Sequence, residues 1–98
     1  MLNQVVLVGR LKEIKEEEKG ISIMLVVPRS YKNEEGIYEE DCIQVRLCGS
    51  VANNTKEYCN KGDLVGIKGR IQAKDNDIEI VAEKLTFLSS KKVDENND

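Results

Sequence analysis

Residues 41–48, DCIQVRLC, alternate so regularly that a strand is the only conformation that sorts them: Ile43, Val45 and Leu47 fall on one face, and Cys42, Gln44, Arg46 and Cys48 on the other. The first face belongs in a core. The second is a candidate working surface, because an arginine beside a glutamine on a strand face suits a phosphate backbone or a partner carboxylate. A plainly solvated outer face is the simpler alternative. With 98 residues the chain has material for one core, so this strand must belong to a single small domain.

The other segments read as further strands. Residues 2–11, LNQVVLVGRL, are apolar and β-branched up to Arg10, which predicts a strand buried on much of both faces. An uncharged strand of this kind needs covering, within the fold or by a second copy of the chain. Gly9 predicts a bulge or bend. Residues 12–20 read as a solvated hairpin connection. ISIMLVV, residues 21–27, predicts a second strand that stops at Pro28, which has no N–H to donate. RSYKNEEGIYEED then forms a hairpin tip, with Asn33 and Gly36 as turn formers and Arg29, Tyr31 and Lys32 on its ascending limb. An aromatic between basic groups there is a signal for base stacking, although a lone surface tyrosine is the commoner case.

After Gly49, residues 50–59 predict one short helix, with Ser50 as N-cap and Val51, Thr55 and Tyr58 facing the core. In LVGIKGRI, residues 64–71, Val65, Ile67, Gly69 and Ile71 alternate with Leu64, Gly66, Lys68 and Arg70, so Lys68 and Arg70 project together. A tight turn at residues 75–77 leads into IEIVAEKLTFL. Three strands, a helix and two strands, with glycines at the bends, predict an all-β protein with one short helix: a five-stranded Greek-key barrel of the OB-fold type over residues 1–88, followed by a disordered polar tail over 89–98. An SH3-like barrel is the competing arrangement, and the helix position favours the OB-fold.

Composition narrows the function classes. The formal net charge is −3, but nine of the eighteen acids lie in two runs, residues 13–18 and 34–41, that read as loops or hairpin ends, while most other basic residues sit on strands. A basic face can therefore exist on an acidic protein. Nothing approaches the length of a membrane span, and the N-terminus lacks a signal-peptide pattern, so the expected location is the cytoplasm, associated with the nucleoid if DNA is the ligand. Cys42, Cys48 and Cys59 suggest neither a disulfide framework nor a metal cluster: six residues of strand separate the first two by about 20 Å. They read as reduced, semi-buried thiols, and no cofactor is expected. With no histidine and no glycine-rich phosphate loop, the chain is not expected to be an enzyme.

MLNQVVLVGRL, the hairpin RSYKNEEGIYEED, the block GSVANNTKEYCNKGDLVGIKGRIQ and the closing IEIVAEKLTFL resemble the bacterial and phage single-stranded DNA-binding proteins with an OB-fold, over residues 1–88. The resemblance implies sequence-independent binding of single-stranded DNA in replication, recombination or repair, and a homo-oligomer, dimer or tetramer, built partly through the first strand. It also implies possible replication or repair proteins as partners and no membrane. Tyr31 is similar in placement to a base-stacking aromatic, and Arg46 to a backbone-contacting arginine. Arg29, Lys32, Lys68 and Arg70 occupy positions where basic groups face DNA, with Arg10 and Lys12 weaker candidates. Five cations, Arg29, Lys32, Arg46, Lys68 and Arg70, would give a salt slope of about −3.5.

Three departures from the family pattern stand out. Cys42 and Cys48 occupy positions where members usually present aromatics, the last hairpin is short, and the chain ends in DENND without an acidic stretch tipped by Pro-Phe. Weaker binding and a narrower partner network are the expectations. They also motivate a second reading, a diverged OB-fold interaction module that serves as a replication adaptor with weak or no DNA binding.

Overall fold

The computed structural model describes residues 1–90. Five strands, β1 (Val5–Glu17), β2 (Gly20–Lys32), β3 (Tyr38–Leu47), β4 (Leu64–Lys74) and β5 (Asp77–Ser89), close into a barrel in the order β1-β2-β3-β5-β4, with helix α1 (Gly49–Tyr58) between β3 and β4. All neighbouring pairs are antiparallel except β3 with β5, which is joined by only Val45↔Ile80 and Arg46↔Val81. This is the predicted five-stranded barrel with one short helix. The expected disordered tail, from residue 91 onward, lies outside the described residues, and Ser89 is still part of β5.

The core is built from the inward positions of the alternating strands. Leu11, Ile21, Ile23, Leu25, Val45, Leu47, Val65 and Ile67 are each at most 2% exposed, and α1 and β5 add Ala52, Cys59 and Ala82. Burial pushes the Cys59 thiol above its ordinary pKa, with nearby Asp63 adding to the shift, so it stays protonated at neutral pH.

Several expectations fail for identifiable reasons. The segment after Leu11 is not a loop: β1 continues to Glu17, with Ile14 packed against the core. Its inward residues, Leu11 and Ile14, are three apart instead of two, and the register shift between Leu11 and Glu13 absorbs the additional residue. Only Glu18 and Lys19 form the turn before Gly20. Gly20 has φ 109, and a Cβ there would collide with the Leu47 carbonyl oxygen. Much of both acidic runs therefore lies on strands β1 and β3 rather than in loops.

β2 does not stop at Pro28. Its ladder with β1 ends at Val26, and its ladder with β3 shifts between Pro28 and Lys32, so the missing N–H falls where pairing is already irregular. Helix α1 is preceded by Cys48 as N-cap, with no side-chain cap bond from it. The helix docks through small residues, Ala52 and Thr55, with Cys59 just beyond, whereas Tyr58 is 67% exposed. The buried stripe is thus rotated from the one read in the sequence. Cys42 and Cys48 are exposed and only Cys59 is buried, so the thiols are not uniformly semi-buried. Within one chain the outer face of the first strand is left uncovered, with Val6 68% and Val8 48% exposed. No helix among the described residues is long and apolar enough to cross a membrane.

Candidate nucleic-acid interface

Residues paired across a ladder share a face, so register decides which side chains on the outer surface meet. Across β1, β2 and β3 the outward rows are Arg10–Val26–Cys42, Glu13–Met24–Gln44 and Lys15–Ser22–Arg46. Two depressions flank the middle of this surface. One, of about 160 Å³, is lined by residues including Lys15, Ser22, Met24 and Gln44. The other, of about 220 Å³, is lined by Gln44, Arg46, Lys74 and Ile78 among others. Gln44 borders both, so the two lie side by side across β3 as a discontinuous trough between β1 and the β4–β5 hairpin. Two of its polar groups, Gln44 and Arg46, come from the outward face of the strand whose inward face supplies Val45 and Leu47 to the core, and Glu13, Glu17, Asp77 and Glu79 line it beside Lys15 and Lys74. The guanidinium of Arg46 is held in its charged form, with Cys48 the first influence on it and Glu79 and Glu17 adding to it.

The β2–β3 hairpin carries three of the predicted site residues. Tyr31 is 63% exposed, and Lys32 places its Nζ 5.7 Å from the centre of the Tyr38 ring, a cation–π pair at the hairpin tip. Arg29 is engaged differently. Its Nε and Nη2 donate to the two oxygens of Asp41 at 3.1 and 2.9 Å, and its Nη1 donates to Glu39 Oε1 at 2.8 Å. The hydrogen bond from Arg29, and then the guanidinium's charge, hold the Asp41 carboxyl below its ordinary value against the opposing effect of desolvation. A carboxyl depressed in this way contributes fully above its ordinary pKa, and the contribution is lost only as pH falls through the depressed one, so the pair is intact at neutral pH.

The remaining two predicted residues lie on β4. Arg70 donates to Glu83 at 3.2 Å and to Gln72 at 3.3 Å. Lys68 pairs with Val6 on one side and with like-charged Lys84 on the other, on the outer wall formed by β1, β4 and β5. The six residues therefore fall in three places: Arg46 in the trough, Arg29, Tyr31 and Lys32 on the hairpin, and Lys68 and Arg70 on β4. Of the weaker candidates, Arg10 donates to the Gly62 carbonyl at 3.2 Å, and Lys12 Nζ lies 3.9 Å from Cys42 Sγ.

Sequence reasoning missed Lys15, Met24, Tyr38, Lys74 and Ile78. Lys15 and Met24 are brought beside β3 by a register that the bulge at Lys12 conceals. Lys74 and Ile78 enter the trough because the last hairpin reaches over β3, and the sequence marks only the turn between them.

Residues 2–88 match the single-strand binding protein family. The single-stranded DNA-binding protein B of Bacillus subtilis is 36% identical over 106 residues, which take in 93% of this chain and 94% of that protein. The single-stranded DNA-binding protein 1 of Staphylococcus aureus is 32% identical over 111 residues, 98% of this chain and 71% of that protein. Among solved structures, a deletion variant of the single-stranded DNA binding protein from Thermus aquaticus is similar with a TM-score of 0.67 and 25% identity. That match covers 93% of this chain and 52% of the other, so this chain spans about half of it. A mitochondrial single-stranded DNA binding protein of S. cerevisiae superposes with a TM-score of 0.74 at 18% identity, over 94% of this chain and 99% of that one. The last is a likeness of fold.

Proposed function

Since the chain belongs to the single-strand binding protein family, we propose that it binds single-stranded DNA without sequence preference, along the trough across β3. The observation that carries this reading is the position of Arg46, a cation on the outer sheet face, between Lys15 at the far end of its own row and Lys74 at the end of β4. Phosphates track such a line of cations whatever the base sequence, while Met24 and Ile78 in the trough and Tyr31 and Tyr38 on the hairpin offer surfaces to the bases. Lys32 extends the cationic path onto the hairpin, and Arg70 adds a cation on β4. The function is binding rather than catalysis, and the pathways served are those that expose single strands: replication, recombination and repair.

Anisotropy of labelled oligo-dT, titrated at several salt concentrations, tests the reading. Wild type should bind with a steep negative salt slope, and Arg46→Ala should weaken binding and flatten the slope by about 0.7, the share of one phosphate contact. An unchanged slope and affinity would remove Arg46 from the interface. If wild type does not bind even at low salt, the adaptor reading, which the exposed Cys42 and Cys48 favour, takes its place.

The exposed side chains of β1 support a second copy of the chain as partner. Val6 and Val8 lie on the same outer wall as Leu88, and the ladder of β1 with β2 begins only at Arg10. Light scattering should give a mass at least twice that of one 11.1 kDa chain. The double substitution Val6→Asp, Val8→Asp should reduce it to one chain, and an unchanged mass would place the interface elsewhere.

A further inference from the structure

The β2–β3 hairpin is a weak piece of sheet where it should be strongest. Pro28 donates no hydrogen bond, and the register is lost between Pro28 and Lys32, so residues 29–31 lack regular ladder partners on β3. Tyr31 sits on this limb. A side chain that stacks on bases from an unsupported limb must be ordered on binding, and that ordering opposes affinity.

A polar brace spans the gap. The fork of Arg29 grips both oxygens of Asp41 near the hairpin base and reaches Glu39 one step further out. The other oxygen of Glu39 accepts from Asn33 Nδ2 at 3.4 Å, and Asn33 Oδ1 accepts the backbone N–H groups of Glu35 and Ile37 at 2.8 and 3.0 Å. The chain of contacts runs from strand base to turn. Tyr31 follows Arg29 by two residues on the same limb, and the period of two of a strand puts both side chains on one face. A single exposed ion pair contributes little, but a bidentate arginine within a network holds geometry.

We propose that Arg29 is a positioning residue: with Asp41, Glu39 and Asn33 it braces the β2–β3 hairpin and fixes Tyr31 for stacking, and it does not itself contact DNA. The proposal rests on the single-stranded DNA reading above. It inverts the expectation from charge alone, under which an arginine on this hairpin neutralises a phosphate and its acidic partners only repel the ligand.

Asp41→Asn separates the two, because it removes a negative charge and breaks the fork while leaving Arg29 in place. Oligo-dT anisotropy across a salt series is measured for wild type, Asp41→Asn, Tyr31→Ala and the double variant. Asp41→Asn should weaken binding about 5-fold, the lower end of one base stack, with the salt slope unchanged, and it should have no further effect in the Tyr31→Ala background. Tighter binding with a slope steeper by about 0.7 would overturn the proposal and make Arg29 a masked phosphate contact. An equal loss with and without Tyr31 would also overturn it. Hydrogen exchange on the free protein is the DNA-independent arm: Asp41→Asn should reduce amide protection over residues 31–38, and unchanged protection would end the proposal. Failure of wild type to bind DNA would end the functional reading, while the exchange result would still decide the brace.

Discussion

Replacing Cys42 with tryptophan and Cys48 with phenylalanine together should tighten binding to oligo-dT by about 2 to 6 kcal/mol, at least about 30-fold, because each base–aromatic stack contributes about 1 to 3 kcal/mol. Both side chains are exposed, Cys42 on the outward face of β3 and Cys48 just beyond its end, so the rings displace nothing from the core. The positions are well placed for the purpose. Lys12 reaches toward Cys42, so a tryptophan there has a cation within reach of its ring face, and position 48 lies two residues from Arg46. Neither change adds a phosphate contact, so the salt slope should stay where it is while the affinity rises at every salt concentration. Unchanged affinity in both single variants and in the pair would mean that the strand does not pass over β3.

The second large effect is on stability, and it discriminates between two glycines three residues apart on one strand. A Cβ on Gly69 would strike the Val81 carbonyl oxygen and stand 3.0 Å from the Ala82 Cα, at a register shift where β4 and β5 are pressed together. Backbone cannot rotate away as a side chain can, so Gly69→Ala should cost about 1 to 3 kcal/mol or more. A Cβ on Gly66 would meet only Leu88 and Val8 side-chain atoms, at 3.7 and 3.9 Å. Gly66→Ala should therefore be neutral or stabilise by up to about 1 kcal/mol, through the lost freedom of the unfolded chain. Urea unfolding at fixed protein concentration reads both, and equal midpoints for the two variants would contradict the close approach at Gly69.

The strands that could be read directly are those whose inward and outward residues alternate without interruption. β3 and β4 are of this kind, and with the glycines and the single helix they were enough to predict the barrel. β1 and β2 were truncated in the sequence reading because each is interrupted once. The spacing of Leu11 and Ile14 breaks the period of two, and Pro28 carries a stop signal that an already irregular ladder tolerates. The site divides along the same line. Arg46 and Gln44 were legible because their face is set by the strand they sit on. The engagement of Arg29 with Asp41 was not, since it depends on how two limbs of a hairpin twelve residues apart come into register. Lys68 and Arg70 were correctly placed on the outer face of β4. That Lys68 would stand opposite Lys84, and Arg70 beside Glu83, is a property of β5's register that local pattern does not contain.

The parallel junction between β3 and β5 also bears on how the chain assembles. β1, β2 and β3 form a meander of neighbours, and β4 and β5 a hairpin with a two-residue turn, so both are built from contacts close in sequence. Val45↔Ile80 and Arg46↔Val81 join partners thirty-five positions apart, and two pairs return little for the entropy of closing so long a loop. On the folding pathway this row is placed to zip last and, in the native ensemble, to open first. Arg46 belongs to that row. A strand of DNA held there recognises only the zipped molecule, so by mass action the ligand becomes the clasp of the barrel it lies on.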